Sequence, residues 1–385
     1  MTKYLTVHYC SKTIGCGYSN RDKSKVNRHM QTCSAETHYS YKEVKYPNQD
    51  CTREELKKIG IVDDYRYVCW DIECVNNQDS FSFGASKCLG KQELISIALY
   101  GDGIRRVFLN EKGTCLEEFL GYLEEIQSTH FSQRPEKVKK YMKDLHVKLQ
   151  IKNLLPSLKT KYHRHLNYLR NMTNLFVIGY NSGKYDLPAI IGQMLDIVDP
   201  KDVKVIKQGS SLYSLTYNNC TFIDAMKFNS GGSLDKFAAT FGATVQKTIF
   251  PYEFFSKFSD ISSCTAWPPM KAFKSSLSKP KICEAEIDEV KALFNSEKEF
   301  LDFFGVETVE EFCVSPRAYF DAKVEFEFNL FSGKWKSFVD YLVEYNLNDV
   351  KMLFEAFGNY CQLFNRTFDC QVLKRISLPG LAEGK

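Results

Sequence analysis

The segment YRYVCWDIEC at residues 65–74 constrains the fold of this chain more than any other stretch. Its apolar side chains alternate onto both faces of an extended run, which is typical of a central strand covered on both sides. Asp71 and Glu73 stand two residues apart near its end, so their side chains leave the same face. Two such carboxylates repel each other and are costly to desolvate, and hard oxygen ligands suit Mg²⁺ or Mn²⁺. The segment therefore predicts a metal site, unless the strand end simply reaches solvent.

Length and composition bound the class of protein. The 385 residues are enough for one large domain with accessories or for two domains. Apolar residues make up 44% and charged residues 25%, and no run of about 18 apolar residues is present, so a transmembrane helix is not expected. The start lacks the apolar core of a secretory signal, and the fourteen scattered cysteines indicate reduced thiols, some of them metal ligands. We therefore expect an intracellular protein that is not secreted and has no membrane partner.

Residues 1–38 have the pattern of a small zinc-binding module. The candidate ligands follow C-x5-C-x12-H-x3-C spacing and are Cys10, Cys16, His29 and Cys33. The last two are four residues apart on a predicted helix and so share a face. So short a segment needs metal to supply its folding energy, which predicts one structural Zn²⁺; the alternative is chance cysteines in a flexible arm. A polar linker at residues 39–62 ends in a short predicted helix.

A markedly basic segment occupies residues 134–170. It contains eleven Lys and Arg against Glu136 and Asp144, and its apolar residues recur at helical spacing. We predict a basic helical insertion. It either lies beside a nucleic-acid site or is a surface helix pair that only keeps the protein soluble.

Two further aspartates stand near predicted helices. Asp186 follows a predicted buried strand and precedes Leu-Pro, where an N-cap is the favoured alternative to a functional role. Asp349 falls on the apolar stripe of a long predicted helix, with Tyr345 one turn earlier on the same side. A lone carboxylate there is expensive, so Asp349 is either a site residue or a buried, hydrogen-bonded Asp.

In chain order the acidic residues form a recognisable set. The three pieces are D-x-E (Asp71, Glu73), N-x3-Y-D (Asn181, Tyr185, Asp186) and Y-x3-D (Tyr345, Asp349). This order resembles the exonuclease motifs of the DEDD 3′–5′ proofreading exonucleases, in the subgroup that contains the tyrosine. Ser233-Leu234 with Phe237 is similar to the S/T-L-x2-apolar motif of protein-primed family B DNA polymerases. Lys247 to Tyr252 is similar to their K-x2-apolar motif and following tyrosine, although Thr248 stands where glycine is frequent.

The resemblance implies a ribonuclease H-like fold over residues 63–370, a mixed α/β sheet flanked by helices, with residues 371–385 starting the connection to a polymerase domain. It implies that Asp71, Glu73 and Asp349 hold one Mg²⁺ or Mn²⁺ and that Asp71, supported by Asp186, holds a second. In the family, Tyr345 would orient the attacking water and Lys247 would neutralise charge on the scissile phosphate. The positions that match residues holding the single-stranded 3′ end are Asn181, Tyr185, Ser233, Leu234 and Tyr252.

The expected function is that of the 3′–5′ proofreading exonuclease region of a protein-primed family B DNA polymerase, of viral, mobile-element or organellar type. It would hydrolyse the single-stranded 3′ end of primer–template DNA by two-metal chemistry. No palm motif follows residue 370, so the polymerase half is expected elsewhere, and that half or a terminal protein is the expected partner. The alternatives are a catalytically idle DNA-binding or partner-docking remnant of a polymerase, and a free-standing nuclease.

Overall fold

Two compact units make up the chain, one of residues 1–49 with Lys385 and one of residues 50–384. The computed structural model describes residues 8–9, 19–20, 23–32, 51–62, 64–77, 81–83, 86–88, 91–209, 211–229, 232–275 and 282–379.

The described part of the first unit is a strand pair followed by a helix. Strand β1 (His8–Tyr9) pairs antiparallel with β2 (Ser19–Asn20), and helix α1 (Lys23–Thr32) follows. His29 lies in the last turn of α1 and is partly buried. The other predicted zinc ligands lie outside the described residues and are Cys10, Cys16 and Cys33. The zinc site stays a prediction.

A mixed seven-stranded sheet forms the frame of the second unit, in the order β7-β6-β3-β8-β11-β10-β9. Its strands are β3 (Arg66–Asn77), β6 (Lys91–Gly101), β7 (Ile104–Leu109), β8 (Leu175–Gly179), β9 (Lys204–Gln208), β10 (Ser211–Tyr217) and β11 (Cys220–Asp224), and β4 (Phe81–Phe83) and β5 (Ser86–Cys88) form a separate pair. Strand β8 runs parallel to both β3 and β11, and the other pairs are antiparallel.

Helices cover both faces of this sheet. The described helices of this unit are α2 (Cys51–Lys58), α3 (Cys115–Ser132), α4 (Glu136–Leu149), α5 (Pro156–Thr173), α6 (Asp186–Ile197), α7 (Leu234–Thr240), α8 (Phe258–Ser263), α9 (Glu284–Lys291), α10 (Glu297–Phe304), α11 (Pro316–Phe331) and α12 (Phe338–Phe368). Helices α3 and α6 share a buried cluster with Trp70, and α7 and α12 share one with Cys69. Because side chains alternate along a strand, these neighbours are fully buried in opposite layers. The predicted mixed α/β sheet flanked by helices is confirmed.

Two further clusters lie at opposite ends of β3. Helices α2, α4 and α5 form one, and Tyr65, at the start of β3, packs against it. Helices α8 to α11 and the first turns of α12 form the other, which includes Val75 near the end of β3. Ten residues of extended chain separate Tyr65 from Val75, or about 30 Å. The basic helices α4 and α5 therefore lie at the far end of the strand from Val75.

None of the described helices combines the length and the apolarity that crossing a membrane requires.

Candidate active site

Three carboxylates from two distant parts of the chain meet beside the middle of β3, which continues to Asn77, beyond the strand end expected from the sequence. Asp71 and Glu73 come from β3 and Asp349 from α12, and one carboxylate oxygen of each lies within 4.8 Å of the others. Glu73 and Asp349 are buried, and Asp71 is partly buried. The arrangement offers a divalent cation three hard oxygen ligands in a site with little access to water.

Local structure aims these side chains. The pairing of β3 with β6 shifts register between Glu73 and Cys74, so the strand pair is irregular where the acids lie. Such bulges re-aim side chains and are common beside active sites. On α12, the amide of Asn346 donates to Ser96 Oγ of β6 at 2.8 Å, and both residues are fully buried. This bond fixes the helix on the sheet one turn before Asp349.

Burial and mutual repulsion change the acidity of the trio. Burial, with the neighbouring charge of Asp349, raises the pKa of Asp71 to about 7. Burial and then the charge of Asp71 raise the pKa of Glu73 well above its usual range. For Asp349 burial also raises the pKa, although Lys247 and a hydrogen bond from Tyr345 oppose it. Closely spaced buried acids hold protons at neutral pH unless a cation neutralises them.

Asp349 has an unsatisfied atom as well. Its Oδ1 is buried without a hydrogen-bond partner in the described part of the chain. Burying a carboxylate oxygen without a hydrogen bond costs free energy, and coordination of a metal ion would give this oxygen a partner. The donor set of the trio therefore fits Mg²⁺ or Mn²⁺.

Asp186 lies close to this trio but outside it. It is the first residue of α6, whose N-cap is Tyr185, and that N-cap makes no side-chain capping bond. The favoured alternative, that Asp186 caps the helix, is therefore wrong. Burial, then the charges of Asp71 and Asp224, raises the pKa of Asp186 well above its usual range. Its carboxylate is not among the group whose oxygens lie within 4.8 Å of one another.

A lysine and two tyrosines border the acids. Lys247 Nζ lies 3.5 Å from Asp349 Oδ2. Burial alone would lower the pKa of Lys247, but Asp349 and the other two acids outweigh it, so the pKa is raised and the ammonium stays charged. Tyr345 is buried and its hydroxyl is hydrogen-bonded to that of Tyr252, which is 40% exposed.

A cleft of about 230 Å³ opens beside the trio. It is lined by Asp71, Tyr180, Asn181, Gly232, Ser233, Leu234, Lys247, Asp349 and Leu353. Three of the five predicted DNA-binding residues thus lie in its wall, whereas Tyr185 and Tyr252 do not. Tyr185 is 62% exposed nearby, directly before Asp186. A larger cavity of about 690 Å³ lies at the start of β3 and contains no predicted site residue.

Sequence reasoning missed Asp224, which ends β11. Its buried carboxylate accepts hydrogen bonds from the backbone N–H groups of Asn181 at 2.8 Å, Met226 at 3.0 Å and Gly183 at 3.3 Å. Asn181 has φ 59°, a left-handed conformation, and a Cβ on Gly183 would lie 2.2 Å from the Leu212 carbonyl oxygen. Asp224 therefore fixes the tight connection from β8 to α6. The available signal was an aspartate directly after a run of mostly apolar residues, as for Asp71.

Asp224→Ala is expected to lower the free energy of unfolding by about 3 kcal/mol, because three backbone N–H groups lose a charged acceptor. Asp224→Asn keeps one acceptor oxygen and is expected to lose about half as much. Urea denaturation of the three proteins measures both changes. Equal stability of wild type and Asp224→Ala would contradict this role.

Comparisons of the chain with protein-family models, with curated proteins and with solved structures gave no match.

Proposed function

We propose that this chain is a metal-dependent 3′–5′ DNA exonuclease with a ribonuclease H-like fold, similar to the proofreading region of protein-primed family B DNA polymerases. The observation that supports it most is the meeting of Asp71, Glu73 and Asp349 within 4.8 Å. Buried carboxylates gathered from separate elements destabilise the metal-free fold, and a bound cation offsets this cost. Metal binding is the common function of such a cluster.

In this proposal Asp71, Glu73 and Asp349 would hold one Mg²⁺ or Mn²⁺, and Asp71 with Asp186 would hold a second. Bound ions of this kind supply an activated water and stabilise a leaving oxygen in phosphodiester hydrolysis. The hydroxyl of Tyr345, which is hydrogen-bonded to Asp349, would orient that water. The ammonium of Lys247 neutralises charge on the scissile phosphate, a role that its raised pKa supports.

The substrate is a single-stranded 3′ end. Asn181, Ser233 and Leu234 line the cleft next to the acids and would hold the terminal nucleotide. The exposed rings of Tyr185 and Tyr252 offer surfaces on which unpaired bases stack. The cleft is lined by the carboxylates of Asp71 and Asp349 and by Lys247, which suits a phosphate that is bound through metal ions.

The wider resemblance belongs to the same proposal. Residues 371–385 would begin the connection to a polymerase half, and that half or a terminal protein would be the partner. Residues 1–38 would form the zinc module, and residues 134–170 an insertion in the exonuclease fold. A catalytically idle DNA-binding remnant is the competing interpretation.

The test uses purified chain and 5′-labelled single-stranded DNA with Mg²⁺ or Mn²⁺. We expect stepwise shortening from the 3′ end, arrest by EDTA, and resistance of the same oligonucleotide when its 3′ terminus is chemically blocked. Binding of the DNA without shortening in either metal would favour the idle remnant. Release of label from the 5′ end would overturn the polarity.

A further inference from the structure

The helices α4 and α5 form a strongly basic pair whose connection exposes apolar side chains. No Asp or Glu occurs between Asp144 and Asp186. Four aliphatic residues around the connection are each at least 36% exposed, and they are Val147, Ile151, Leu155 and Leu158. Backbone bonds order this region, with Ile151 N–H donating to the Lys148 carbonyl oxygen. We call residues 147–159 the basic tip.

A second helical region has the opposite charge. Residues 284–327, from α9 into α11, contain thirteen Asp and Glu against four Lys and Arg. Two of the four bases already have partners on α11, since Arg317 is ion-paired with Asp321 at 2.9 Å and Lys323 lies 4.0 Å from Glu327. The formal charge of this region is −9, and that of residues 134–170 is +9.

The acidic region also exposes apolar side chains. On α11, Val324 is 43%, Phe328 68% and Phe331 94% exposed. Intervals of four and three residues place them on one face of the helix, while Ala322 and Phe326 pack into the core on another. We call Val324, Phe328 and Phe331 the aromatic stripe. Exposed apolar residues grouped in this way mark an interaction surface more often than single ones do.

The two surfaces do not cover each other in the described part of the chain, since the residues of both are exposed. The basic tip belongs to the helices at the start of β3, and the aromatic stripe to those at its end. About 30 Å of strand separates the two ends. Each surface is therefore open to a partner, and a second copy of the chain carries the complementary one.

We propose that the basic tip of one copy docks on the aromatic stripe of a second copy. The opposite charges steer the encounter, and the aliphatic tip residues cover Phe328 and Phe331 from water. The contact is heterologous, because each copy presents one surface of each kind, so it extends into open chains or closes into a ring. This inference goes beyond the nuclease proposal and does not depend on it.

Sedimentation velocity on the full chain tests the association. We expect the average mass to rise with protein concentration at low salt. Raising the ionic strength from about 0.05 M to about 0.5 M should weaken the association at least about tenfold, because salt screens the charges. A chain that stays monomeric at every concentration at low salt would overturn the proposal.

A mixing experiment tests the head-to-tail arrangement. The tip variant carries Ile151→Ser and Leu155→Ser, and the stripe variant carries Phe328→Ser and Phe331→Ser. Each variant alone should be monomeric, and an equal mixture should give a dimer that grows no further, since one copy keeps an intact tip and the other an intact stripe. Leu363→Ser, which alters a 55% exposed residue outside both surfaces, should associate like wild type.

All four substituted positions are exposed, so the variants are expected to keep the fold. A tip variant that still self-associates would show a stripe-to-stripe contact, and a mixture that stays monomeric would show that the tip and stripe do not bind each other. Either result rejects the head-to-tail contact.

Discussion

Asp71→Ala is expected to lower the rate of 3′-end hydrolysis at least about 10³-fold. Asp71 is the carboxylate that the proposal shares between both metal ions, so its removal takes a ligand from each. Single-turnover kinetics with 5′-labelled single-stranded DNA in Mn²⁺ measure the loss. Binding of the same DNA in EDTA should stay within about twofold, because Asp71 contributes no positive charge to strand binding.

Asp196→Ala is the matched control. Asp196 is an exposed aspartate on α6, the helix that begins with Asp186, and it is not one of the proposed site residues. The rate of 3′-end hydrolysis by Asp196→Ala should equal that of wild type. Hydrolysis by Asp71→Ala at the wild-type rate would show that the acid trio is not the nuclease site.

Asp349→Asn is expected to be more stable than wild type without metal and less stable than wild type with it. Without metal the variant should be more stable than wild type by about 2 kcal/mol at neutral pH, since one of three repelling buried carboxylates is gone. With Mn²⁺ at about 100 times its dissociation constant, wild type should gain about 3 kcal/mol and the variant much less. Urea unfolding in EDTA and in Mn²⁺ measures both.

The pH dependence of this difference has a defined sign. Burial and repulsion raise the pKa of Asp71 to about 7, so between its ordinary pKa and that value the folded protein holds a proton that the unfolded chain has lost. The trio's contribution to metal-free stability therefore falls as pH rises through this window, and the advantage of Asp349→Asn grows.

The difference in stability between Asp349→Asn and wild type does not contain the opposing contribution of His130. Burial, then Arg134, lowers the pKa of His130 to about 4, which by itself makes stability rise with pH in the same window. His130 lies in both proteins and cancels in the difference. An advantage of Asp349→Asn that shrinks between about pH 5 and about pH 8 would contradict the assigned repulsion.

Short-range patterns predicted the parts of the site that local structure determines. Alternation along β3 fixed which face carries Asp71 and Glu73, and the stripe on α12 put Asp349 on the buried side. Both patterns express the geometry of one element, so a single sequence suffices to find them. That β3 is covered on both sides also followed from its apolar residues on both faces.

Other features depend on contacts between distant segments, and the periodicity of one segment does not predict such contacts. Asp186 fits an N-cap by its neighbours, yet the helix begins at Asp186 itself because Asp224 holds the preceding turn. The basic helices were predicted as helices, but their place at the start of β3 depends on packing against α2 and Tyr65. Tertiary contacts determine where a helix begins and where it packs, and helix propensity is only a weak guide to either.

Helix α12 contributes side chains to two separate buried clusters. It has 31 residues, which is about 46 Å. Its first turns pack with α8 to α11, its later turns pack with α7 under the sheet, and Asp349 lies between the two. Repacking around Phe357 or Tyr360 would rotate this helix slightly and move Asp349. The affinity of the proposed site for metal would then change although no ligand is substituted. In the proposed nuclease, substitutions far from the cleft would therefore change the rate of hydrolysis.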